Sequence, residues 1–101
     1  MRFGEKLKIL RQKAGKSRYR LTQYSGIDQA YIQRLETGER NNPSRDVVLM
    51  LGYALVESSD SVTVHDVDEL LLSAEYAPLR RRDNRMSTDS RRQTKERPTG
   101  T

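Results

Sequence analysis

Ser17-Arg18-Tyr19-Arg20-Leu21-Thr22-Gln23-Tyr24-Ser25-Gly26-Ile27-Asp28-Gln29-Ala30-Tyr31-Ile32-Gln33-Arg34-Leu35-Glu36-Thr37-Gly38 is the stretch whose reading decides the fold. Ser17 is a good N-cap because its hydroxyl can accept from a first-turn amide. The helix it opens carries Leu21 and Ser25 inward. Gly26 then permits a sharp turn through the left-handed region that a side chain resists, with Ile27 as a plug beneath it. Asp28 caps the next helix, in which Ile32 and Leu35 face the core and Gly38 marks the end. Gln29, Ala30, Gln33 and Arg34 are left pointing outward.

Working outward, Phe3, Leu7, Leu10 and Ala14 recur at helical spacing, and Gly15 stands where that helix ends. On the other side, Asn41-Asn42-Pro43 is loop chemistry and Ser44 caps a helix with Val48, Leu51, Gly52 and Leu55 inward. Thr63 with Asp66 forms a capping-box pattern before a fifth helix, placed at about 64–76, with Val64, Val67, Leu70, Leu71 and Ala74 on one stripe. Pro78 prevents that helix from running far. No strand alternation and no internal repeat is present. The expected architecture is all-α: a compact five-helix bundle over residues 1–79, followed by a disordered basic tail over 80–101, where Met86 is nearly the last apolar residue among Arg, Asp, Ser and Thr.

The chain has 101 residues, a net charge of +5 and no cysteine, which leaves room for one domain and excludes disulfides and thiolate metal sites. No apolar run reaches the roughly 20 residues of a membrane span, and the charged start lacks the apolar stretch of a signal peptide. A cytoplasmic, nucleoid-associated protein with no membrane partner is expected. The distribution of charge says more than its sum. Up to Arg45, eleven Lys and Arg stand against Glu5, Asp28, Glu36 and Glu39, a balance of +7. From Asp46 to Leu79 there are seven carboxylates and no Lys or Arg. The tail contributes a surplus of +5, eight bases against three acids. A basic half followed by an acidic half suits one face for a polyanion and another turned away from it.

Two short helices joined at a glycine are the ingredients of a helix-turn-helix. Read together, Phe3-Gly4-Glu5-Lys6-Leu7, Leu10-Arg11, Gly15, Ser17, Leu21, Gly26-Ile27, Tyr31-Ile32, Arg34-Leu35-Glu36, Gly38 and Asn42-Pro43-Ser44 resemble the Cro/repressor family of XRE-type regulators, in register from about Phe3 to Leu55. The resemblance implies the phage-repressor type of DNA-binding bundle, with the third helix in the major groove. Gln29, Ala30, Gln33 and Arg34 would then contact bases: Gln suits adenine, Arg suits guanine, and Ala suits a thymine methyl. Phosphate contacts would come from Ser17 and Arg18 at the start of the second helix, from Tyr31, and from Arg40, Asn41, Asn42 and Arg45 after the third. Tyr31 could equally pack across the second helix. Arg18 departs from the Gln usual there, and Arg45 from an aliphatic residue. Arg11 and Glu36 would form a structural ion pair between the first and third helices.

The implied function is sequence-specific transcription regulation, a repressor rather than an activator. Double-stranded DNA and a second copy of the chain are the expected partners. Val47, Met50 and Tyr53 form a second apolar stripe on the fourth helix, expected to lie under helix 5 or a second subunit. The alternative is an antitoxin-like protein that binds its own operator and a protein partner through helix 5 or the tail. Catalysis has no residues to stand on, with one histidine and no cysteine, and no cofactor is expected. His65 with Asp66, Asp68 and Glu69 is read as first-turn chemistry that complements the helix dipole rather than as a metal site.

Overall fold

The computed structural model describes residues 1–79. These form five helices, α1 (Phe3–Lys13), α2 (Arg18–Ser25), α3 (Gln29–Thr37), α4 (Arg45–Ser58) and α5 (Val64–Ser73), with no strand among the described residues. The protein is an all-α helix-turn-helix bundle. The basic tail expected over 80–101 lies outside the described residues. None of the described helices is long and apolar enough to cross a membrane.

Short polar side chains start α2 to α5 by satisfying amides that have no intrahelical partner. Ser17 Oγ accepts from the Arg20 amide at 3.1 Å, and Asp28 Oδ2 accepts from those of Ala30 and Tyr31 at 3.0 and 3.3 Å. Ser44 Oγ accepts from the Val47 amide, and Thr63 and Asp66 cap each other reciprocally. Gly26 and Gly38 close α2 and α3 at φ +76° and +85°, the left-handed backbone expected of a glycine cap.

The inward stripes converge on one core. Phe3, Leu7, Leu10 and Ala14 of α1 meet Leu21, Ile32 and Leu35 of the central pair, with Val48, Leu51 and Leu55 of α4 and Val67, Leu70 and Leu71 of α5. α1 packs on α3 and α5, while α4 packs on α2 and α5. Two glycines permit the closest approaches. A Cβ on Gly4 would collide with the Leu35 carbonyl oxygen, and one on Gly52 would stand 2.9 Å from Val67 Cγ1. Ile27 is only partly buried against this core.

Two expectations about the C-terminal half need correction. Helix α5 ends at Ser73 rather than near 76, because Glu75 takes φ +68° and the Tyr76 amide turns back to the Leu71 carbonyl at 2.9 Å. Tyr76 Oη then donates to the Pro43 carbonyl at 2.7 Å, tying this turn to the loop after α3. Val64, expected inside, is 46% exposed, whereas Asp66 and Asp68 are buried. While Val47 is partly buried against the core, helix α5, one of the two covers expected for the second stripe of α4, does not cover Met50 and Tyr53. It seats Val67 on Gly52 instead, and Met50 and Tyr53 remain 44% and 49% exposed.

Of the two buried acids of α5, Asp66 is matched from α1. Asp66 Oδ2 accepts from Lys13 Nζ at 3.0 Å and from the Thr63 amide at 3.0 Å. Glu69 Oε1 accepts from Lys6 Nζ at 2.6 Å. Burial pushes the Asp66 carboxyl up, but the Thr63 amide, Lys13 and the nearby Lys6 outweigh it and hold the group below its ordinary value. The Lys6 contact does the same for Glu69.

Carboxyls lowered in the fold contribute stability that is complete above the unfolded carboxylate range and is lost as pH falls through the folded values. Thermal melts should therefore show a decline in stability below about pH 4. Asp66→Asn should cost about 1 kcal/mol at pH 7 and progressively less on acidification. A wild-type melting temperature flat down to strong acid would contradict this account. Gly4→Ala, which drives a methyl into backbone, should cost about 2–3 kcal/mol by denaturant unfolding. Gly52→Ala, which meets a side chain, should cost less.

Candidate nucleic-acid interface

Helix α3 buries Ile32, Leu35 and Glu36 and leaves Gln29, Ala30, Gln33 and Arg34 exposed. At about 3.6 residues per turn, these four lie on one contiguous face. That face is the surface the helix-turn-helix presents, since α3 is held from behind by α1 and α2. The Arg34 guanidinium leans toward Glu39, with Nε 3.8 Å from Oε2, and both side chains are largely in solvent. Such a pair is weak and easily exchanged for another partner.

The remaining candidates fall into two groups. Tyr31 is half-buried and Arg40 lies over its ring at 5.7 Å, so the structure brings these two together as a cation–π pair. Exposed Asn41 and Asn42 follow in the same loop, Asn42 in a left-handed turn at φ +57°. Arg45 is exposed at the first position of α4 rather than within the loop. The second group sits at the start of α2. Ser17 uses its oxygen as the N-cap, while Arg18 Nε donates to Glu36 Oε1 at 3.0 Å.

Glu36 is the hub beneath the second group. Arg11 donates to it through Nε at 2.7 Å and Nη2 at 3.1 Å, and its Nη1 donates to the Lys16 carbonyl at 2.8 Å. Arg11 thus ties α1, the α1–α2 turn and the last turn of α3 to one another. Arg18 shares the same carboxylate, a link that reading the sequence did not anticipate.

Arg2 is a second residue that sequence reasoning passed over. It is exposed and borders a cleft of about 350 Å³ together with Arg40, Asn41 and Asn42. Only the packing of α1 beside the post-α3 loop places it there. Lys6 and Lys13, by contrast, are engaged with α5 acids, so part of the basic charge of the first half is consumed internally. His65 Nε2 lies 3.1 Å from Glu69 Oε2. No cluster of His, Asp and Glu suited to a metal ion occurs among the described residues.

A bundle that buries the back of α3 and presents its polar front beside basic loops defines a DNA-binding regulator. The model of the helix-turn-helix domain family matches residues 2–55, over half of the chain, and the chain belongs to that family. No match is found among curated proteins or among solved structures.

Removing Arg11 leaves Glu36 with only the partly exposed Arg18 beside it. Arg11→Met should therefore destabilise the fold by about 3 kcal/mol, the low end for breaking a buried pair. Equilibrium denaturation measures it, and a loss under about 1 kcal/mol would show the pair to be dispensable.

Proposed function

We propose that this protein is a Cro/repressor-type regulator that binds an operator as a homodimer and represses transcription by occupying it. The observation that carries this reading is the exposed, contiguous face of Gln29, Ala30, Gln33 and Arg34 on a helix whose other side is buried. Inserted in the major groove, Gln33 pairs with adenine and Arg34 with guanine, while Ala30 leaves room for a thymine methyl and Gln29 reaches bases from the first turn. Ser17, Arg18, Tyr31, Arg40, Asn41, Asn42 and Arg45 contact phosphates on either side and set the register. Occupying a site blocks other proteins sterically, so repression needs nothing beyond binding.

Dimerisation through the Val47, Met50 and Tyr53 stripe is supported by the exposure of Met50 and Tyr53 on a helix whose opposite side is fully buried, with Val47 partly buried beside them. A two-fold pair of such bodies would read half-sites about one helical turn, roughly 34 Å, apart. The antitoxin-like alternative rests on α5 or on residues 80–101, and the latter lie outside the described residues.

Selection of bound sites from random duplex DNA tests the reading as a whole. Enrichment of a symmetric site with half-sites one turn apart is expected, and failure to enrich any sequence would overturn it. On the selected site, Gln33→Ala and Arg34→Ala should each remove about 1–3 kcal/mol of discrimination at particular base pairs. Full retention of preference by both would remove α3 as the reader. Met50→Glu should shift sedimentation toward monomer with little change in monomer stability, since the residue is already half in solvent. An unchanged dimer would place the interface elsewhere.

A further inference from the structure

We propose that Glu36 is the positioning residue for Arg18, turning it into an aimed phosphate clamp at the start of α2. The inference rests on the DNA-binding reading and adds to it a division of labour between two arginines. Both donate to one carboxylate, yet they differ in what they have left to give. Arg11 is buried, and its Nε, Nη1 and Nη2 all donate within the protein. Arg18 donates only its Nε edge, and its side chain is 32% exposed against 1% for Glu36. A guanidinium is a planar fork, so anchoring the Nε side fixes the direction of the two Nη groups. Those two have no partner among the described residues, and they make the bidentate fork that suits a phosphate.

Charge and backbone point the same way. Two guanidiniums on one carboxylate leave the cluster with a net positive charge, which a phosphate would complete. Arg18 is also the first residue of α2, where first-turn amides and the helix dipole favour an anion. The Arg11 Nη1 hydrogen bond to the Lys16 carbonyl holds the turn that leads into this position. Because Glu36 lies on α3, the clamp is referenced to the base-reading helix itself. Phosphate register and base register are thereby set by one side chain.

A freely moving lysine or arginine would give up side-chain freedom on binding. Arg18 has given up much of it before DNA arrives. Glu36→Gln then makes a prediction whose sign opposes simple electrostatics. Loss of a carboxylate alone raises positive charge and should tighten DNA binding; loss of the aim on Arg18 should weaken it.

The test measures binding of the full chain to a short random-sequence duplex across a range of salt concentrations, where phosphate interactions dominate. Arg18→Ala should weaken binding about tenfold and make the log–log salt slope shallower by about 0.9 for each phosphate no longer neutralised. Glu36→Gln should weaken it in the same direction. In the Arg18→Ala background, Glu36→Gln should weaken binding no further, whereas a purely structural role through Arg11 would cost the same in either background. Arg18→Lys keeps the charge but not the anchored fork and should bind closer to Arg18→Ala than to the parent, which decides the matter even if Glu36→Gln does not fold. Tighter binding by Glu36→Gln, additive effects of the two substitutions, or parental binding by Arg18→Lys would each overturn the positioning role. A parent that binds no duplex would instead remove the DNA-binding reading beneath it.

Discussion

A carboxylate withdrawn from water at the end of α3 must be met by donors, because an unpaired buried charge costs more than a small bundle can absorb. In this protein that carboxylate belongs to Glu36, and its donors come from two other helices: Arg11 of α1 and Arg18 of α2. Meeting the requirement fixes where the first three helices lie. The long Arg11 side chain reaches Glu36 only while α1 runs tightly along α3, and Gly4 permits that approach by omitting the Cβ that would strike the Leu35 carbonyl. The third nitrogen of Arg11 then holds the Lys16 carbonyl, so the turn into α2 is set by the same side chain. The geometry of the outward face is a consequence of this inward one.

The second half of the chain answers the charges of the first. Lys6 and Lys13 project from α1 toward α5, where Glu69 and the buried Asp66 receive them. These ion pairs explain why the long acidic run does not simply turn its back on a basic one. Part of each is spent holding α1 to α5. Among the described residues, the α2 start, the α3 front, the following loop and Arg2 keep cations that no α5 acid engages.

Helix α4 has more apolar surface than one neighbour can bury. With α2 on one side, α5 could have covered either the Gly52 side or the Met50 side. It took the side where a missing side chain lets Val67 approach closely, and the Tyr76–Pro43 hydrogen bond secures the chain beyond it. Met50 and Tyr53 were left in solvent as a result.

The local features were legible in the residues themselves. Ser17, Asp28, Ser44 and Thr63 are short side chains that satisfy orphan amides within three residues, so their capping depends on nothing distant. The stripes Phe3-Leu7-Leu10-Ala14 and Val48-Leu51-Leu55 follow helical periodicity, and both are buried in the core. The outward set on α3 was equally readable, being what remains when Ile32 and Leu35 turn inward. Periodicity failed where a helix carries apolar residues on more than one side: Val64 had the right spacing for the core, yet the capping box and Lys13 drew Asp66 in and left Val64 out. The stop of α5 at Ser73 was hidden too, because a tyrosine reaching back thirty-three residues to Pro43 leaves no local signature. The same holds for Arg18. Its place at the start of α2 follows from the chain, but its hold on Glu36 required the last turn of α3 to be folded against it, and only packing brings residues that far apart in sequence within 3.0 Å.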